Sequence, residues 1–190
     1  MSIVRFLVPD LPAAEFRRML LMAIAGALSA GIFGVVHDQV TFSISPEYFT
    51  RMKFDQFRHA DFGFPPRILV ATIGFLATWW VGLIASWFLA RRIVPACPVG
   101  EAWHLMGKSL ARMLGGTVAC AFLGGFVGPW LLGDSGSWKE SLRAIGVSDK
   151  AAFTCVAGIH TGAYLGAFVS WLVILLFGRS AVPIQILQAE

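Results

Sequence analysis

The sequence predicts an all-α fold: an integral membrane bundle of four transmembrane helices with one short interfacial helix. Three observations carry this. Hydrophobic residues make up 57% of the 190-residue chain and charged residues only 14%, with a mean hydropathy of +0.72, against the roughly 25% charge of an ordinary soluble domain. Four apolar runs are each long enough to cross a hydrocarbon core ~30 Å thick, which takes roughly 20 helical residues. Within all four runs, small residues recur at every fourth position, the spacing by which helices approach one another in lipid.

The runs fall at 19–36, 68–90, 110–132 and 151–177. Arg17 and Arg18 precede the first, as in a signal peptide. Its apolar length exceeds the about 7 to 15 residues usual for a signal's apolar region, so it reads as a retained span. Between the first two runs, Ser45-Pro46-Glu47 supplies an N-cap, a proline at the first helical position and a first-turn acid, which predicts a short helix over 46–58. Phe49, Phe54 and Phe57 occupy one side of it, with the stem of Lys53 among them, and Glu47, Arg51, Asp55 and His59 follow at steps of four on the other. Such a helix is expected to lie flat in the headgroup region with Glu47 paired to Arg51. Pro65-Pro66 then opens the second run, with Arg67 as its interfacial anchor. Residues 1–190 form a single membrane domain, with no room for a separate soluble catalytic one.

With both termini on one side of the membrane, that side carries eight basic residues, Arg5 and Arg179 among them, and the other side seven. The pairs Arg17-Arg18 and Arg91-Arg92 abut membrane ends, which favours cytoplasmic termini. The +4 formal charge is distributed in such pairs, with no basic arm, so nucleic acid is not an expected partner. Cys97, Cys120 and Cys155 form no CxxC and no disulfide framework. Cys97, between Pro95 and Pro98, is placed where juxtamembrane acylation occurs.

The small-residue seams are Gly26, Ala30 and Gly34 in the first run and Gly74, Thr78, Gly82 and Ser86 in the second. In the third they are Gly116, Cys120, Gly124 and Gly128, and in the fourth Gly158, Gly162, Gly166 and Ser170. Residues four apart share a helix face, so each run offers a flat strip to another backbone. Two uses compete: packing inside the chain, and assembly with other membrane subunits or a second copy.

Ionisable residues inside a membrane are costly and so become functional candidates. His160 is the one well inside a run, and His37 and Asp38 close the first run on the same side of the membrane. A cluster of His37, Asp38, Glu47 and His160 is therefore expected to be geometrically accessible. Two imidazoles with one or two carboxylates suit zinc, iron or a proton relay. No HxxxH or HExxH spacing supports it. The plainer alternative is that His37-Asp38-Gln39 marks a helix leaving the membrane and that His160 donates to a neighbouring carbonyl. Trp79-Trp80 falls midway along the second run, where large rings either pack a core or contact a quinone, a pigment or another subunit. GxSxG, Walker and GxGxxG motifs are missing, as is the doubled half of a secondary transporter.

The run HDQVTFSISPEYFTRMKFDQF, Pro65-Pro66, and IGFLATWWVGLIASWFLARR from Ile73 to Arg92 together resemble a group of small multi-span bacterial membrane proteins that share the HDQVT…EYFT motif and a TWWVG-containing span. The resemblance covers roughly 34–92. It implies a bacterial inner-membrane location and brings no activity, cofactor or catalytic residue with it. Abundant packing signals beside sparse catalytic ones favour a non-catalytic accessory, assembly or interaction subunit in the lipid bilayer. The alternatives are a small transporter or proton-linked channel using His160, His37 and Asp38, and a metal-dependent membrane enzyme with the same residues as ligands. No cofactor is expected beyond a metal at that cluster.

Overall fold

A computed structural model describes residues 12–133 and 136–178; Arg5 and Arg179 of the charge count lie outside them. Among the described residues the fold is all-helical. It comprises α1 (Ala13–Ile44), α2 (Pro66–Ile93), α3 (Val99–Leu132), α4 (Gly136–Ala144) and α5 (Lys150–Phe177). Four of them, α1, α2, α3 and α5, are long and apolar enough to cross a membrane.

The helices run further than the apolar segments that announce them. α1 continues past Val36 to Ile44, so His37, Asp38 and Gln39 sit within the helix rather than beyond its end. The polar residues there find partners without unwinding it. The Gln39 amide donates to the Arg67 carbonyl at 2.7 Å, Arg67 Nη1 donates back to the Gln39 carbonyl at 3.1 Å, and Thr41 Oγ1 donates to the His37 carbonyl at 3.0 Å. Arg67 is thereby tied to α1, with its guanidinium 4.9 Å from the Phe42 ring centroid. What ends α1 is Pro46, which forces the residue before it out of the helical region: Ser45 is extended at φ −141°, ψ 93°.

The expected helix over 46–58 is not continuous. A three-residue α turn (Pro46–Tyr48) passes into a π turn (Phe49–Lys53), another α turn (Phe54–Gln56) and a 3-10 turn (Arg58–Ala60). Ser45 makes no side-chain cap. Nor does the segment lie flat with its aromatics in lipid: Tyr48, Phe49 and Lys53 are all buried. Tyr48 stands 5.1 Å, ring to ring, from Phe153 of α5, within an apolar cluster that also holds Val70, Leu142, Val147 and Val156. α4 reaches this cluster through a tight C-terminal turn in which Val147 N–H donates to the Leu142 carbonyl and Gly146 N–H to the Arg143 carbonyl. The positive φ of 69° at Gly146 makes that turn possible. Asp149 then caps α5 by accepting from the Ala152 N–H at 2.9 Å.

The seams are used inside the chain. α1 packs antiparallel along α2, and α3 along α5, while contacts between the two pairs are sparse. Gly34 faces the backbone of Gly74, and Gly26 faces Gly82 and Ser86. In the other pair Gly124 and Gly128 face Gly158, Gly162 faces Cys120, and Gly166 faces Gly116 and Cys120. Thr78 Oγ1 reaches across to the Ala30 carbonyl at 2.8 Å. Because these strips carry no side-chain bulk, the large apolar side chains turn outward: Ile32, Val36, Phe126 and Leu165 are exposed on the lipid side. The pairs are clasped at both ends, by the cluster around Phe49 and Phe153 and by one around Met19, Met22, Leu89, Val94 and Met106. Between the clasps they stay apart, leaving a cavity of about 250 Å³.

A side chain at a seam position has no space to enter, since a Cβ on Gly124 collides with the Gly158 carbonyl, whereas Gly115 on the same helix meets nothing within 4 Å. Gly124→Leu is expected to destabilise the bundle by about 1–3 kcal/mol and Gly115→Leu to leave it no less stable. Thermal unfolding in mild detergent reads the difference.

Candidate functional site

The cavity between the pairs is capped at one end by three ionisable side chains, His37 and Asp38 from α1 and His160 from α5. His37 Nδ1 lies 3.1 Å from Asp38 Oδ1, and His160 Nε2 lies 3.9 Å from the same oxygen. One donor atom from each of the three residues falls within 4.8 Å of the others. Thr41, one turn beyond His37, brings its hydroxyl to 3.4 Å from His160 Nε2. The rings of His37 and His160 meet edge-on at 4.6 Å, and Tyr48 stacks on His160 at 4.9 Å with 14° between the planes.

Asp38 is 3% exposed and His160 5%, so neither is hydrated as it would be at a membrane exit. Yet two buried atoms of the cluster, Asp38 Oδ2 and His37 Nε2, have no hydrogen-bond partner. Orphaned polar atoms are rare in folded interiors because each costs ~1–3 kcal/mol. The donor set suits a metal. Two atoms bound to one ion at ~2.0–2.1 Å lie no more than about 4.2 Å apart, and Asp38 Oδ1 meets that limit with both imidazoles. Two imidazoles and one carboxylate are the donors typical of zinc and non-haem iron, with coordination positions left over.

Lys53 covers the site from the connecting segment. It is 6% exposed, with Nζ 5.6 Å from the Phe57 ring centroid. Burial pushes its ammonium below the usual lysine range, and the Asp38 carboxylate partly opposes this. Burial pushes the Tyr48 phenol far above the usual tyrosine range, with the Asp38 charge adding to it, so Tyr48 stays neutral.

Three of the four residues expected to cluster do so, and Glu47 does not. Its carboxylate accepts from the Ser148 N–H at 3.1 Å and the Asp149 N–H at 2.9 Å. It is therefore a strut between the connecting segment and the start of α5, and its expected pairing with Arg51 gives way to backbone N–H groups that an α-helix leaves unpaired at its N-terminus. Trp79 and Trp80 are 37% and 48% exposed and do not line the cavity between the pairs. Cys97 is buried in the basic-end cluster, away from the surface an acylated thiol requires. Tyr48, Thr41 and Lys53 were not legible as site residues. Lys53 read as a snorkelling stem on a flat helix, and only the π turn brings it, Phe49 and Tyr48 inward together. A comparison with known proteins gives no match among protein families, curated proteins or solved structures.

Backbone donors hold the Glu47 carboxyl below its ordinary value of 4.5. A depressed carboxylate stabilises the folded state fully above its unfolded pKa, and the contribution disappears as pH falls through the lower folded value. Hydrogen-exchange protection of the Ser148 and Asp149 amides is expected to be full at neutral pH and to fade below about pH 4.5. In Glu47→Gln it should be weaker throughout and lose that pH dependence.

Proposed function

We propose that this multi-pass membrane protein binds a divalent transition-metal ion through His37, Asp38 and His160, and that the ion serves metal-dependent chemistry on a small apolar substrate in the adjoining cavity. The observation that carries the reading is the buried donor set: His37, Asp38 and His160, from two helices, bring metal-type donor atoms within reach of a single ion. An ion held by Asp38 Oδ1, His37 Nδ1 and His160 Nε2 would balance the charge of the buried carboxylate and leave His37 Nε2 as an N–H donor. Chemistry is favoured over ion passage because the cavity walls are mostly Ala, Gly, Val, Leu and Met, with scattered hydroxyls, and offer an ion no continuous polar path. The seams that argued for an accessory subunit find their partners within the chain, so an accessory role would have to use the lipid-facing sides.

One observation favours a second reading. Lys53 is buried within electrostatic reach of Asp38, and intramembrane chains of carboxylates and imidazoles occur in proton relays. There His37 and His160 would exchange protons with Asp38, and no metal would bind.

The location that accompanies either reading is a bacterial cytoplasmic membrane with both termini on the cytoplasmic side. It is supported by the resemblance over 34–92 and by the Arg17-Arg18 and Arg91-Arg92 pairs at membrane ends. The His-Asp-His cluster then faces the outer half of the bilayer.

Protein stripped with chelator and reloaded with zinc or ferrous iron is expected to hold about one ion per chain, with affinity falling at least about tenfold in Asp38→Asn and His160→Ala. His104→Ala, which removes an exposed imidazole on α3, should leave loading unchanged. Metal analysis after gel filtration decides the matter. Full loading of His160→Ala would contradict the assignment. A wild-type chain that takes up neither ion, combined with proton flux in liposomes abolished by Asp38→Asn, would hand the site to the relay reading.

A further inference from the structure

The opposite end of the bundle holds a second and larger cavity, of about 460 Å³, bounded by α2, α3 and α5. Three cationic side chains line it: Arg92 from the last turn of α2, and Lys108 and Arg112 one turn apart on α3. Among the described residues that line it none is acidic. Among the described residues, the carboxylates at this end are Glu15, beside Arg18 at 3.8 Å, and Glu101 in the first turn of α3. Arg92 Nη2 donates to the Gly178 carbonyl at 3.1 Å, which fixes the guanidinium at the cavity wall against the end of α5. The rest of the lining is apolar, with Leu105, Ile174 and Phe177 among it.

We propose that this cavity seats the phosphate of an anionic phospholipid. The charge calls for an anion: Lys108 and Arg112, one turn apart on α3 with Arg92 lining the same cavity, offer the positive charge and N–H donors that a phosphate monoanion or diester takes. The apolar half distinguishes a lipid from a soluble phosphate. The cavity sits where the apolar run of α3 begins, so a phosphodiester held by Lys108 and Arg112 leaves its acyl chains against Ile174 and Phe177, at the depth where they already lie in the bilayer. A free phosphate gains nothing from those side chains. Basic recesses between helices at a membrane surface are suited to lipid headgroups for this reason. The inference is independent of the metal site, which lies at the other end of the bundle.

The test is native mass spectrometry of the full chain in mild detergent, titrated with phosphatidylglycerol, phosphatidylcholine or inorganic phosphate. The expected result is one tightly retained phosphatidylglycerol per chain, weakened by salt and not displaced by millimolar inorganic phosphate, with phosphatidylcholine binding weakly. Neutralising Lys108→Gln and Arg112→Gln should each weaken binding about fivefold, while Arg112→Lys retains most of it. Both side chains are exposed, so the variants are expected to fold, and an unchanged thermal unfolding midpoint in the same detergent would verify that. Equal retention of both lipids by the wild type, undiminished phosphatidylglycerol binding in the doubly neutralised chain, or complete displacement by inorganic phosphate would each overturn the proposal.

Discussion

The structure depends on backbone-to-backbone contact between glycine-lined helix faces. In lipid there is no hydrophobic drive to bring helices together, since a hydrocarbon tail solvates leucine as well as another leucine does. Attraction therefore comes from close van der Waals approach, and only side chains the size of Gly, Ala, Ser or Thr permit it. Gly34 on Gly74 and Gly124 on Gly158 set two tight antiparallel pairs. Their large side chains are left pointing at lipid, and too little bulk remains between the pairs to fill the middle. The cavity follows from how the pairs were built.

That arrangement decides where polar groups are tolerated. Placing a charged side chain at the centre of a membrane helix costs ~2.5–3.5 kcal/mol by insertion measurements, and pairing or a water-filled recess offsets it. Asp38 and His160 lie where the cavity, the connecting segment and two helices meet. The connecting segment completes the enclosure: Glu47 pins it to the start of α5 through the Ser148 and Asp149 amides, while the Tyr48 and Phe49 rings pack against His160. π turns are uncommon and recur at functional sites. Here the wide turn lets Phe49 and Lys53 face inward together, with Tyr48 beside them. A covering segment, a buried donor set and an apolar recess together suit metal chemistry.

How far this was legible depends on which physical signal each residue leaves. The four spans were readable because hydropathy and four-residue spacing are both periodic, long and redundant. His160 was readable because an imidazole among apolar neighbours has a cost that demands a reason. The end of α1 was not, since the bonds that carry the helix through His37, Asp38 and Gln39 come from Arg67 on another helix, and no local pattern announces them. Glu47 was misplaced for a related reason: four-residue spacing assumes a continuous α-helix, and the π turn breaks the register on which the Glu47–Arg51 pairing depended. The Trp79-Trp80 pair shows the converse, a conspicuous local feature whose rings merely face outward.

The two ends of the bundle are chemically unlike, one holding a buried carboxylate between imidazoles and the other a basic recess. The central claim concerns the first: that His37, Asp38 and His160 together form a metal's coordination sphere. X-ray absorption spectroscopy at the edge of the bound ion tests it most directly. The account requires nitrogen and oxygen scatterers at about 2.0–2.1 Å with the outer-shell pattern of two imidazoles, reduced to one in His160→Ala. A sulfur scatterer at about 2.3 Å, or a shell of light atoms with no imidazole signature, would contradict it.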